Sequence, residues 1–185
     1  LQRLTNTSLN NEDFQFMRSK CADLAGIDVK MLRVSFTGDL GWEVHCNTAD
    51  QKALYTALLE TGKEFGVGPV GSRALMAMRV EKGYGSWSRE YSPEYWPHEQ
   101  GMDRLCKMDK DFLNKAALQA VLAQEPREQM VLLHLNEAAV TASNADATGG
   151  EPVFKDGNGV GRVTSGAYGY SVGLSLALAM VKDVG

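Results

Sequence analysis

Residues 33–45 read Arg33-Val-Ser-Phe-Thr-Gly-Asp-Leu-Gly-Trp-Glu-Val-His45, two alternating runs on either side of a glycine-bearing turn. Apolar side chains fall at every second position: Leu32, Val34 and Phe36 before the turn, and Trp42, Val44 and Cys46 after it. A period of two around such a turn predicts a β-hairpin. Glu43 and His45 then lie on the opposite face of the returning strand. A carboxylate there suits ligand binding, and it also keeps a surface strand soluble, so the hairpin alone leaves both interpretations open.

The bulk properties are those of an ordinary globular protein. The 185 residues, of which 44% are hydrophobic and 23% charged, suffice for one domain or one and a half. A net charge of −4 without a basic run argues against a nucleic-acid surface. Three scattered cysteines favour a reducing compartment over a disulfide framework. The three histidines are scattered too, so no metal site is predicted.

The sequence predicts neither a membrane span nor a targeting segment. The longest apolar run, Val172–Val181, is far shorter than the roughly 20 residues that a membrane helix needs. Residues 1–5 resemble neither a signal peptide nor a transit peptide. Because the first residue is Leu1 and both ends are abrupt, the sequence is expected to be a piece of a longer protein.

Two helices are predicted around the hairpin. The first runs from residue 10 or 11 to Gly26, because apolar residues recur there at helical spacing behind a polar, acidic start. The second begins with capping-box spacing at Thr48 and Gln51. It presents an apolar stripe that includes Leu54 and ends at Gly66.

Two further helices are predicted before residue 125. The third runs from Ser72 to Glu81 and is closed by Lys82 and Gly83, and the fourth covers residues 116–122. Residues 84–97, between them, carry five aromatic side chains. Such a loop fits a pocket lining and a packed surface loop equally well.

The pattern changes after the proline-containing break at residues 124–129. Strands are predicted at Met130–Leu135, Glu151–Phe154, Val160–Thr164 and Leu174–Val181, with a small-residue loop at Ala142–Gly150 and a hairpin turn at Asp156–Gly159. The predicted class is therefore α+β, with a mixed domain at residues 1–125 and a β-rich domain at residues 126–185.

Common catalytic motifs are missing from the sequence. The glycines at 66–71 do not form a G-x-G-x-x-G fingerprint, and neither a G-x-S-x-G elbow nor a P-loop occurs. Arg79 and Glu81, two positions apart on a helix, do not face each other and are expected to make separate structural contacts.

Two residues remain as binding candidates, Glu43 on the hairpin and Arg73 at the start of the third helix. A carboxylate accepts two parallel hydrogen bonds from a planar N–H/N–H edge, and a guanidinium offers the converse fork to carboxylates. A ligand with a pterin at one end and a glutamate tail at the other would use both. The alternative is that both side chains are merely solvated.

Five motifs in this order carry a family resemblance. They are Arg33–Glu43, Arg73–Gly83, Trp96–Gly101, Lys110–Lys115 and Gly161–Ser171. In order and spacing they resemble the aminomethyltransferase family, the glycine-cleavage T-protein, and most nearly the folate-binding C-terminal region of dimethylglycine and sarcosine dehydrogenases. The resemblance covers almost the whole chain.

The resemblance implies a tetrahydrofolate-binding module: residues 1–125 would be the second half of the folate-binding domain and residues 126–185 a partial β-barrel that ends after Val184. Glu43 matches the family's pterin-binding glutamate. The family's tail-binding arginine matches Leu75. Arg73 lies two residues earlier and would reach a folate tail from the preceding turn. The family's catalytic aspartate, and the flavin domain that holds FAD in the dehydrogenases, lie upstream of the matched region, so no catalytic residue is predicted in this chain.

The resemblance also implies a function. The chain would bind folate within an enzyme that forms methylene-tetrahydrofolate from an amine-derived one-carbon unit. Its partners would be small molecules, folate and an amine substrate, and its location the cytoplasm, or the mitochondrial matrix in a eukaryote. One alternative is a non-catalytic regulatory scaffold of the same fold. Another is a fold remnant that self-associates through truncated surfaces as a homo-oligomer.

Overall fold

The computed structural model describes residues 1–136 and 146–182 and divides into two compact units, Leu1–Ser72 and Arg73–Gly185. Each unit combines helices with an antiparallel sheet, which confirms the predicted α+β class. The boundary predicted between residues 125 and 126 is a different division of the chain, and it stays a prediction.

The first unit contains a sheet of three antiparallel strands in the order β1-β2-β3. The strands are β1 (Ser19–Leu24), β2 (Ile27–Leu32) and β3 (Glu43–His45). Ala25 and Gly26 join β1 to β2, and both have positive φ, as a type I′ turn requires. The helix predicted from residue 10 or 11 to Gly26 is therefore wrong.

The same apolar residues that suggested this helix also fit a strand. Along β1 the side chains alternate between exposed and partly buried positions and end at the fully buried Leu24. Phe14 is buried as well, but only a single turn precedes it, closed by its amide and the Asn10 carbonyl at 2.8 Å. The Ala25-Gly26 pair, followed by a second alternating run, was the sequence signal for the hairpin.

β2 and β3 are antiparallel neighbours, as the opening motif predicted, with Leu32 opposite Glu43. The connection covers residues 33–42 and is longer than the predicted five-residue turn. On β3 the alternation agrees with the prediction, because Val44 packs against the core while Glu43 and His45 are exposed.

Backbone hydrogen bonds explain the longer connection. The Arg33 amide donates to the Arg18 carbonyl and the Arg33 carbonyl accepts from the Met17 amide, each at 2.9 Å. Arg33 therefore extends the pairing with the segment before β1 and does not pair with β3. Val34 and Phe36 lie outside any strand, and Phe36 is 40% exposed.

Helix α1 (Gln51–Gly62) packs Leu54 into the core of the first unit and ends through a 3₁₀ turn at Gly66, whose φ of 70° is left-handed. The predicted capping box is wrong, because Thr48 begins a 3₁₀ turn, Asp50 is the residue that precedes α1, and the Thr48 carbonyl accepts from the Gln51 amide. The core comprises Phe14, Leu24, Val29, Met31 and Leu54.

Helix α2 (Ser72–Glu81), which belongs to the second unit from Arg73 onward, has the predicted bounds. Gly83 follows with a left-handed φ of 67°, and its amide donates to the Val80 carbonyl at 2.9 Å, which closes the helix end as predicted. Helix α3 (Lys115–Leu122) covers the fourth prediction and begins one residue earlier.

The sheet of the second unit has four antiparallel strands in the order β4-β7-β6-β5. The strands are β4 (Gln129–His134), β5 (Pro152–Lys155), β6 (Asn158–Gly169) and β7 (Leu174–Val181). Asp156 and Gly157 form the predicted hairpin turn, both with positive φ. Six consecutive side chains of β7 are buried, and Leu176 and Leu178 pack against Val80 of α2.

Two predictions fall partly or wholly outside the described residues. In the loop predicted at Ala142–Gly150, residues 142–145 lie outside them, while residues 146–150 are irregular. The predicted end of the barrel after Val184 lies outside them as well.

Candidate functional site

Glu43 is presented at the exposed face of β3, where its partner across the strand pair is Leu32. Its side chain is 62% exposed, and its Oε2 lies 3.5 Å from Nε2 of His45, two positions along the same strand face. The contact is an ion pair when His45 is protonated. Most of the hydrogen-bonding capacity of the Glu43 carboxylate therefore faces solvent and is available to a ligand.

Arg73 is the second residue of α2 and is exposed. Within the described part of the chain its guanidinium makes no hydrogen bond or ion pair. Leu75, at the position where the resemblance places the family's tail-binding arginine, is 38% exposed. Glu43 belongs to the first unit and Arg73 to the second.

A buried ion pair that the sequence did not predict lies at the end of α2. Arg79 is 1% exposed, and its Nη1 donates to Glu90 Oε2 at 3.1 Å and to the Tyr84 carbonyl at 3.0 Å. Its Nη2 donates to Ser165 Oγ on β6 at 2.6 Å. Arg79 and Glu81 do make separate contacts, as predicted, since Glu81 accepts from the Ser171 amide at 3.2 Å.

The electrostatics of this pair follow from its burial. Burial lowers the pKa of Arg79, and the charge of Glu90 opposes that effect. Burial, the largest influence on Glu90, raises the pKa of its carboxyl, but hydrogen bonding, including the bond from the Ser86 amide at 2.8 Å, and the charge of Arg79 outweigh burial and hold that pKa below its usual value. Both groups are thus charged at neutral pH, and the pair fixes the loop that follows α2.

The aromatic loop lines an open cleft of about 380 Å³ within the second unit. One wall consists of residues 87–89 and 91–94, and the other of Gly150 with residues 162–164 of β6. We call it the arginine cleft, because Arg89 and Arg162 both line it. The sequence left open whether residues 84–97 line a pocket or form a packed surface loop, and this geometry agrees with the pocket lining.

A second buried carboxylate, Glu99, holds the segment before β4. Arg127 donates to it from Nε at 2.8 Å, from Nη2 at 2.7 Å and from its own amide at 2.8 Å, while the Trp96 amide donates at 2.7 Å. The guanidinium also lies 4.4 Å from the centroid of the Trp96 ring. The hydrogen bonds from Arg127 are the main reason that the pKa of Glu99 is lowered to about 2.

Neither a metal-ion cluster nor a membrane-spanning helix occurs among the described residues. No group of three or more histidine, cysteine, aspartate or glutamate side chains is placed to hold a metal ion there. In the same residues, no helix has both the length and the apolar character needed to cross a bilayer.

The fold is that of an α+β protein with a β-rich C-terminal part, and one of its strands presents the exposed Glu43. Comparison with known proteins identifies its family. The family model described as the GCVT N-terminal domain matches residues 1–110. The model described as the glycine cleavage T-protein C-terminal barrel domain matches residues 129–184. The chain belongs to the glycine cleavage T-protein family, a family of aminomethyltransferase-type one-carbon transfer.

Individual relatives agree with this assignment. Mitochondrial dimethylglycine dehydrogenase of Homo sapiens is 36% identical over 98% of this chain, and mitochondrial sarcosine dehydrogenase of Homo sapiens 30% over 99%. The solved aminomethyltransferase T of the glycine cleavage system from Bartonella henselae shares the fold, with a TM-score of 0.69 over 83% of this chain at 23% identity. The chain spans 21%, 20% and 41% of these three proteins respectively.

Proposed function

We propose that this chain is the tetrahydrofolate-binding part of an aminomethyltransferase-type enzyme, of the kind represented by dimethylglycine and sarcosine dehydrogenases. Two facts support the proposal. The chain belongs to a family that is folate-dependent in general, and the family model that matches residues 1–110 includes Glu43. The observation that carries it is the exposed Glu43 carboxylate on a strand of a three-stranded sheet.

The chemistry of Glu43 suits the pterin end of folate. A pterin presents adjacent N–H groups along one planar edge, and a carboxylate accepts two such hydrogen bonds in parallel. Glu43 is held by the pairing of β3 with β2, so its oxygens need little reorganisation to meet that edge. His45 alone contacts the carboxylate within the described residues, and it is itself 61% exposed.

Arg73 is proposed to bind the glutamate tail. An unpaired guanidinium in solvent offers a two-pronged fork that matches a carboxylate. Its place in the first turn of α2 adds the favourable end of the helix dipole for an anion.

When bound, tetrahydrofolate supplies the nitrogen atoms that accept a one-carbon unit from an amine substrate, giving methylene-tetrahydrofolate and a free amine. The contribution proposed for this chain is to hold and orient folate, because fixed geometry lowers the entropic part of the barrier. We assign it no catalytic residue. FAD is expected only in a separate flavin domain.

Calorimetric titration with tetrahydrofolate tests the Glu43 assignment. Glu43→Gln keeps the shape of the side chain but removes its charge and one acceptor. We expect the substitution to weaken binding by about 1–3 kcal/mol, the scale for a lost charged hydrogen bond. Glu60→Gln is the matched control, because Glu60 is an exposed glutamate on α1 of the same unit.

The outcomes separate the proposals. Equal affinity of the Glu43→Gln and Glu60→Gln variants would refute the role of Glu43. Absence of any binding by the unmodified chain would refute folate binding by this chain and favour the non-catalytic scaffold.

Location and partners remain proposals. The two dehydrogenase relatives are named as mitochondrial proteins, so we propose the mitochondrial matrix in a eukaryote and the cytoplasm otherwise. Folate and an amine substrate are the proposed small-molecule partners. Self-association as a homo-oligomer stays a prediction, which light scattering at high protein concentration would test.

A further inference from the structure

The arginine cleft has two cationic side chains at its rim, although the chain as a whole carries a net charge of −4. Its volume of about 380 Å³ is in the range of small-molecule sites. None of the residues that form it contributes to the folate proposal. The cleft therefore calls for a separate explanation.

Buried hydrogen bonds hold the loop that forms one wall of the cleft. The Ser86 amide donates to Glu90 Oε2 at 2.8 Å, and Glu90 is the buried partner of Arg79. The Ser88 amide donates to the Tyr91 carbonyl at 3.0 Å, which holds Ser88 at a left-handed φ of 64°. A non-glycine residue in that conformation costs free energy that the surrounding contacts must offset. The outward direction of this loop is thus imposed by buried contacts.

The arginines of the cleft keep most of their donors free. Arg89 makes one long hydrogen bond, 3.4 Å from its Nη1 to Ser165 Oγ. Arg162 donates from Nη2 to Tyr95 Oη at 2.6 Å and lies 3.8 Å from Glu94 Oε2. Each guanidinium carries five N–H donors, so both retain N–H groups for an anion.

The tip of the loop exposes Trp87, whose side chain is 79% accessible although it lines the cleft. An indole is costly to leave in water, and its flat face is well suited to stacking on a planar apolar group. The loop is anchored through Glu90 and Tyr91 on its inner side, and this anchoring leaves the indole of Trp87 in solvent at the cleft.

We infer that the arginine cleft binds a small monocarboxylate with a flat apolar body, the carboxylate between Arg89 and Arg162 and the body against Trp87. Glu94 also lines the cleft, so two guanidinium groups and one carboxylate leave a single net positive charge. That balance favours a monoanion over a phosphate dianion. Paired guanidinium and carboxylate groups also give directional hydrogen bonds.

Benzoate is the probe, because it combines one carboxylate with one flat ring. Benzamide has nearly the same shape without the charge, and acetate has the charge without the ring. Titration of the nitrogen-15-labelled chain, followed by NMR, reports on the amides of residues 87–92 and of Glu94 and on the indole of Trp87, one of three tryptophans. We expect benzoate to bind about tenfold more tightly than either benzamide or acetate.

Variants locate the site. Arg89→Gln and Arg162→Gln are each expected to weaken benzoate binding about tenfold. Trp87→Ala is expected to reduce the affinity for benzoate to that for acetate. Arg104→Gln is the matched control, because Arg104 is an exposed arginine of the same unit that does not line the cleft. Circular dichroism checks that each variant remains folded.

Three results would overturn the inference. One is equal affinity for benzoate and benzamide, and the second is tighter binding of inorganic phosphate than of benzoate. The third is a benzoate affinity that neither Arg89→Gln nor Arg162→Gln changes in variants that fold. Because folate binding is tested through Glu43 in the other unit, either proposal can fail without the other.

Discussion

In the first unit Glu43 stands on β3 with its side chain 62% exposed, whereas in the second unit the side chains of Glu90 and Glu99 are fully buried. Each of these two buried carboxylates accepts hydrogen bonds from an arginine and from the backbone. Glu43 has one loose contact, with His45. The same side chain therefore has two uses here: the buried carboxylates fix the backbone, and the exposed one is available to a ligand.

The contrast follows from the cost of burying a charge. A carboxylate removed from water is tolerated only when hydrogen bonds and a counter-charge replace its hydration. Glu99 accepts two side-chain bonds and two backbone bonds, so it links residues 96–99 with the segment ahead of β4. Both carboxylates are also closed off from solvent, which is why we place the binding function on Glu43.

The largest effect is expected for the buried ion pair of Arg79 and Glu90. Glu90→Gln leaves the Arg79 guanidinium buried without its counter-charge. Removal of one partner from a buried ion pair typically costs about 3–5 kcal/mol, so we expect a loss of that size in the free energy of unfolding. Urea titration followed by circular dichroism measures it.

Two further variants make this test specific. Glu125→Gln, at an exposed position of the same unit, should change the stability by less than about 0.5 kcal/mol. The double variant Arg79→Met with Glu90→Leu should recover much of the loss, because neither charge then remains buried. A loss below about 1 kcal/mol for Glu90→Gln would show that the pair does not fix the loop.

Glu99 should show an intermediate effect that depends on pH. Arg127, its partner, is 51% exposed and can return to solvent when the carboxylate is lost. We therefore expect Glu99→Gln to lower the melting temperature at pH 7 by about 5 °C, less than Glu90→Gln does.

The sign of the pH dependence follows from the lowered pKa. The pKa of Glu99 is about 2 in the folded chain and 4.5 as the ordinary value. The unfolded chain therefore binds this proton more tightly, and the stabilisation is fully present above about pH 4.5 and is lost as the pH falls towards 2. Melting temperatures between pH 7 and pH 2 should converge for the unmodified chain and Glu99→Gln. A constant gap over that range would contradict the prediction.

Where local signals agreed, the sequence predicted the structure well. Helix α2 and strand β7 have the predicted bounds, and the turn at Asp156–Gly157 lies within the predicted hairpin. The first helix was wrong because Phe14, Cys21 and Leu24 satisfy a helical spacing, and strand pairing with β2 overrode it. Short apolar runs carry both periods, and only the tertiary partner decides between them.

The candidate sites show the same limit. Glu43 was singled out correctly as an exposed residue of a β-strand, because alternation along a strand predicts which side chains face solvent. Arg79 and Ser165 are 86 positions apart, and the Arg127–Glu99 contact spans 28. No local pattern predicts such pairs. The only sequence signal for the arginine cleft was the aromatic density of residues 84–97. The contribution of Arg162 could not be predicted, because it comes from the distant strand β6.

The smallest expected effect on stability is that of Glu43→Gln, and it is the most informative. An exposed carboxylate with one contact to an exposed histidine contributes little to folding, so we expect a change within about 0.5 kcal/mol in the free energy of unfolding. The same substitution should weaken tetrahydrofolate binding by about 1–3 kcal/mol. Urea titration and calorimetry on one preparation give both values. A large loss of stability would mean that Glu43 supports the β3 edge as Glu90 supports its loop, and any loss of binding would then follow from misfolding. Retained stability with reduced affinity would assign the carboxylate to the ligand, because a group that the fold does not need changes binding only through direct contact.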